Sequence, residues 1–63
     1  MSMKELREAR IAQGLTQREV AERSGISREN YARIERGASS TTLVTLERIA
    51  EALGMRLALT AKE

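Results

Sequence analysis

Apolar positions in this chain come in short bursts of helical spacing, and Gly14, Gly25, Gly37 and Gly54 separate the bursts. Each burst carries start and stop signals. Ser2 and Glu5 have the spacing of a capping box, and Gly14 stands at the C′ position of a first helix. Thr16 and Glu19 repeat the box for a second helix that runs to about Arg23. Ser27 is the N-cap of a third helix, which Gly37 stops. A fourth begins near Thr41 or Thr42 and ends before Gly54. Its Leu46, Ile49, Ala50 and Leu53 fall at i, i+3, i+4 and i+7, a single buried stripe. Caps of this kind contribute about 1 kcal/mol each.

The last residues change period. Met55, Leu57 and Leu59 alternate with Arg56, Ala58 and Thr60, the period of two that marks a strand. Met, Leu and Ala also favour helix, so a frayed fifth helix competes with this reading. Gly54 and the alternation favour the strand. The fold predicted is therefore all-α: a compact four- to five-helix domain over residues 1–54, followed by a C-terminal strand and tail over residues 55–63. A lone strand has no partner in its own chain. Pairing with a two-fold mate would give an antiparallel ribbon with Met55, Leu57 and Leu59 packed inward, a dimer interface.

Composition narrows the chemistry. With 63 residues the chain makes one small domain, and such a domain buries only about 60% of the surface its unfolded form exposes. It has no Cys for disulfides or thiolate metal sites and no His for metal binding, so neither a metal nor a cofactor is expected. Without His, Cys or Asp, the usual general bases and nucleophile partners shrink to Glu, Lys, Ser and Tyr, and the expectation is that the chain is not an enzyme. The stretch MSMKELREAR lacks the apolar run of a signal peptide, and no apolar run approaches a membrane span. These features point to a cytoplasmic protein. Net charge is only +2, yet nine of the eleven cations are Arg, the side chain best shaped for bidentate contacts to phosphate and guanine. Nine Glu sit among them, so placement has to decide what the Arg do.

Helices two and three are joined by Ser24, Gly25 and Ile26, a short connection containing Gly. Two helices so joined form a helix-turn-helix, whose second helix can enter the DNA major groove. Small Ala21 lets the helices approach, and Val20, Ile26, Tyr31 and Ile34 supply the apolar faces between them. On the third helix Tyr31, Ile34 and Glu35 share the inward side. Glu29, Ala32, Arg33 and Arg36 fall at i, i+3, i+4 and i+7 on the opposite side, and Arg28 projects outward at the helix start. Base contacts are expected from Arg28, Glu29 and Arg33, with Asn30 a further candidate that could instead face the backbone. Arg suits guanine O6 and N7, Glu accepts from cytosine N4, and Asn pairs with adenine. For Glu29, a plain helix-dipole role competes. Backbone contacts are expected from Gln17 at the start of helix two, from Thr16, Ser27 and Arg36, and from the loop of Ser39, Ser40, Thr41 and Thr42. Thr16 and Ser27 would serve as caps at the same helix ends. Plain solvation is expected of Arg18 and Arg23.

The stretch QREVAERSGISRENYARIERG, preceded by LREARIAQGLTQ, resembles the phage-repressor and Cro-type helix-turn-helix family, from about Leu6 to Leu53. That resemblance implies a lambda-repressor-like fold, double-stranded DNA as partner, and a phosphate-binding role for Gln17. One departure is Ser24, where the family usually has an apolar residue, at some expected cost in packing. Arg10, four residues after Leu6, lies on the inward stripe of helix one, and Glu35 on the inward side of helix three. Opposite charges there predict a partly buried ion pair, and the family carries an Arg and a Glu in matching places.

One recognition helix covers one half-site, so a homodimer on a pseudo-palindromic operator is expected, with the two recognition helices about 34–36 Å apart. TTLVTLERIAEALGMRLALTAKE is similar to the ends of antitoxins from kinase-type persistence toxin–antitoxin operons, whose final strand joins the dimer. This implies a repressor of its own operon that also binds a toxin kinase. Two other readings stay open: an interaction module that mainly neutralises such a toxin, and a plain phage-type repressor.

Overall fold

The structure, a computed structural model, describes residues 3–38 and 41–55. These residues form α1 (Met3–Ala12), α2 (Gln17–Ser24), α3 (Arg28–Arg36) and α4 (Leu43–Ala52). No strand occurs among the described residues. Leu57 and Leu59, and with them most of the expected C-terminal strand, lie outside that range, as do Ser2, Ser39 and Ser40.

Three of the helix starts are local chemistry written in the sequence. Thr16 Oγ1 accepts from the Glu19 amide at 3.1 Å while Glu19 Oε1 accepts from the Thr16 amide at 2.8 Å, a complete capping box. The Thr16 amide bond is also the leading reason the Glu19 carboxyl titrates below its ordinary value. Ser27 Oγ accepts from the Asn30 amide, and Thr42 Oγ1 from the Thr45 amide, each at 3.1 Å. Thr42, not Thr41, is thus the cap of α4.

The helix stops share one device. At the end of α2 the Gly25 amide turns back to Glu22 O and the Ile26 amide to Ala21 O, with Gly25 at φ 74°, a Schellman motif. The same pair of bonds closes α1 through Gly14 and Leu15, α3 through Gly37 and Ala38, and α4 through Gly54 and Met55. In three of the four the residue after Gly is a large apolar one: Leu15, Ile26 and Met55 all pack on the core. Met55 was expected to begin a strand. Its amide instead donates to Ala50 O at 2.8 Å, and its half-buried side chain covers the core of its own chain.

That core consists of Leu6, Val20, Ala21, Tyr31, Ile34, Ile49 and Leu53, with Ala50 also buried. α2 is central: it packs on both α3 and α4, while α1 packs on α3. Leu46 and Ile26, expected on buried stripes, are only half-buried at its margin. Ser24, buried with 2% of its surface exposed, donates its hydroxyl to Val20 O at 2.7 Å. The polar departure therefore satisfies itself within its own helix.

Candidate nucleic-acid interface

Gly25, Ile26 and Ser27 join α2 to α3, so a Schellman stop runs directly into an N-cap. The connection is too short to let α3 drift, and the buried contacts of Val20 and Ala21 with the inward face of α3 fix its angle. α3 is consequently two-faced. Tyr31, Ile34 and Glu35 are buried, whereas Arg28, Glu29, Asn30, Arg33 and Arg36 are exposed and Ala32 is half-buried. Arg28, Glu29, Ala32, Arg33 and Arg36 line one concavity of about 230 Å³ on the outer face. Three Arg against one Glu make this surface electropositive, a match for a polyanion.

Asn30 stands apart from that set. It lines a second concavity, of about 320 Å³, with Thr41, Thr42 and Thr45, where the start of α3 meets the start of α4. Among the expected residues the structure thus joins Arg28, Glu29, Arg33 and Arg36, and separately joins Asn30 with Thr41.

The inward face of α3 carries a buried polar network. Arg10 Nε donates to Glu35 Oε2 at 2.8 Å and Arg10 Nη2 to Glu35 Oε1 at 3.1 Å, a bidentate ion pair between α1 and α3. Arg10 Nη1 donates to Leu15 O at 3.0 Å, tying in the α1–α2 turn. The Tyr31 hydroxyl donates to Glu35 Oε2 at 2.6 Å, and Gln17 Nε2 donates to Glu35 Oε1 at 3.1 Å. Burial pushes the Glu35 carboxyl up, but the bonds from Arg10, Tyr31 and Gln17 outweigh it and hold the group below its ordinary value. The hydrogen bond to Glu35 raises Arg10, and burial followed by that same carboxylate raises Tyr31.

Gln17 is therefore half-buried, with one amide N–H committed inward rather than the whole amide facing solvent. Thr16 and Ser27 act as caps at the two helix starts, which leaves the ends of α2 and α3 ordered for whatever approaches them. The sequence reading missed Tyr31 and Gln17 as partners of Glu35. Tyr31 could have been found, since it lies four residues before Glu35 on one helix face. It also missed Gln13, whose Nε2 donates to Leu53 O at 2.6 Å and ties the end of α1 to the end of α4; a contact across forty residues has no local signal.

A helix-turn-helix family model matches residues 6–59, most of the chain. The chain belongs to the helix-turn-helix family. This helix-turn-helix chain is 47% identical over 49 residues to an uncharacterised HTH-type transcriptional regulator of Methanothermobacter thermautotrophicus, over 78% of this chain and 71% of that one. It is 39% identical over 59 residues to the HTH-type regulator y4dL of Sinorhizobium fredii, over 94% of this chain. It spans only 30% of that relative's length. Among solved structures it resembles the restriction-modification controller protein C.AhdI of Aeromonas hydrophila, with a TM-score of 0.82 and 37% identity over 86% of this chain and 82% of that one. The four-helix arrangement is thus that of a DNA-binding transcriptional regulator. No helix among the described residues is long and apolar enough to cross a membrane.

Proposed function

We propose that this chain is a sequence-specific repressor that binds a pseudo-palindromic operator in double-stranded DNA as a homodimer, and that it acts by covering the promoter. The observation that carries this reading is the outer face of α3, where Arg28, Arg33 and Arg36 converge beside Glu29 on a helix anchored from behind by Tyr31, Ile34 and Glu35. Arg28 and Arg33 read guanine, Glu29 accepts from cytosine N4, and Asn30 serves the edge of the site nearer α4. Arg36, the capped starts of α2 and α3 with Thr16, Gln17 and Ser27, and the loop of Ser39, Ser40 and Thr41 hold phosphates. Catalysis has no part in it.

The dimer is assigned to the tail, with Leu57 and Leu59 pairing across the two-fold axis and the exposed remainder of Met55 beside them. A two-stranded ribbon needs apolar ground to lie on. Gln13 holds the end of α4, where the tail leaves, against the end of α1, and Ile11 in that last turn of α1 is 56% exposed. Likeness to a restriction-modification controller protein supports a regulatory role. An antitoxin partnered by a toxin kinase is the finer form of the same idea. It rests on the closing stretch from Thr41 onward, since none of the proteins described above carries that description.

Fluorescence anisotropy on the upstream DNA of its own gene tests the reading. Affinity is expected to fall by orders of magnitude between about 50 and 200 mM salt as phosphate contacts release counterions. Arg28→Ala and Arg33→Ala should each cost about 1–3 kcal/mol on the operator and much less on scrambled DNA. Equal losses on both duplexes would remove base reading from these side chains. Co-purification of a kinase-like neighbour would establish the antitoxin form.

A further inference from the structure

The outer face of α3 sets one short apolar side chain among long polar ones. Ala32 lines the same concavity as Arg28, Glu29, Arg33 and Arg36, and it is half-buried where those four are exposed. Arg28, Ala32 and Arg36 fall at i, i+4 and i+8, so Ala32 lies between two arginines on one ridge of the face that meets the groove. Its methyl has nothing to donate or accept. In the major groove the base edges offer one apolar feature, the C5-methyl group of thymine.

We propose that Ala32 is a specificity-determining residue that reads a thymine in each half-site through methyl–methyl contact. The inference rests on α3 being the recognition helix and adds a base that none of the polar side chains would select. Size matters as much as polarity. A side chain ending at Cβ lets the helix backbone come close to the base edges, while Arg28 and Arg33 reach past it to neighbouring guanines. A long residue at this position would hold the helix away from the groove.

The test starts by selecting tight-binding duplexes from a random pool with the full chain. Each thymine of the selected site is then replaced singly by uracil, which lacks only the methyl group. One thymine per half-site is expected to lose about fourfold in affinity, the effect of exposing one methyl-sized apolar group. In Ala32→Gly that thymine and uracil should bind alike, while the preferences at other base pairs persist. No uracil sensitivity at any thymine overturns the proposal, and so does a sensitivity that Ala32→Gly leaves intact. Should circular dichroism show that Ala32→Gly does not fold, Ala32→Ser retains Cβ with a polar tip, and the same loss of discrimination is expected; its persistence is equally fatal. A pool in which every duplex binds alike is a different failure, that of α3 as a reader of sequence.

Discussion

At Glu35 a carboxylate with 8% of its surface exposed accepts four hydrogen bonds from Arg10, Gln17 and Tyr31. Removing either charged partner strands the other in a dry place, so Arg10→Ala and Glu35→Ala should each lose about 3 kcal/mol in urea unfolding. The double variant should lose far less than the sum of the two; additivity would mean the pair is not coupled. The pH dependence follows from the same contacts. The folded carboxyl titrates below its ordinary value near 4.5, so its contribution is complete above that value. It disappears as pH falls through the depressed folded value. Thermal midpoints should therefore drop below about pH 4.5 in the wild type, and Glu35→Gln should lose that part of the acid dependence. In the sequence, Arg10 and Glu35 were legible as opposite charges on inward stripes. The convergence of Gln17 on the same carboxylate was not, because Gln17 at a helix start looks equally suited to a phosphate.

At the scale of elements, α2 and α3 are set by their ends. Nothing lies within 4 Å of a Cβ built on Gly25, so a substitution there meets backbone strain alone, at φ 74°. Gly25→Ala should cost about 1–2 kcal/mol, and Gly25→Asn distinctly less, since Asn tolerates the left-handed region. Equal unfolding midpoints for the two would show that the turn relaxes instead. Helix boundaries were readable almost to the residue because caps are local: Thr16, Ser27, Gly25 and Gly37 each act within one turn. What propensity could not reveal is the role of the residue after each glycine. Met55 looked like the first residue of a strand, and a Schellman bond with partial burial against the core makes it part of the turn that stops α4.

For the whole molecule, that reassignment moves the point at which the tail can be cut. Removing residues 56–63 leaves the cap on α4 and the side chain of Met55 in place, whereas removing Met55 as well would uncover the core. The 1–55 chain should retain the helical circular dichroism of the full protein, sediment as a monomer, and lose most of its operator affinity, because two half-sites then bind independently. If it still sediments as a dimer, the interface lies elsewhere, and exposed Leu43 and Val44 at the start of α4 become the apolar surface to examine.

The sequence by itself determined the four helices, the caps at Thr16 and Ser27, the helix-turn-helix and the family, because periodicity, capping chemistry and a glycine turn act over a few residues. It also separated the two faces of α3, since burial of Tyr31 and Ile34 forces Arg28 and Arg33 outward. Tertiary structure alone decided that Gln17, Tyr31 and Arg10 meet on one carboxylate, that Gln13 ties α1 to α4, and that Asn30 leaves the arginine face for the threonines around the start of α4. Those are contacts between elements, and their partners are chosen by the packing angle of whole helices, which no local pattern encodes.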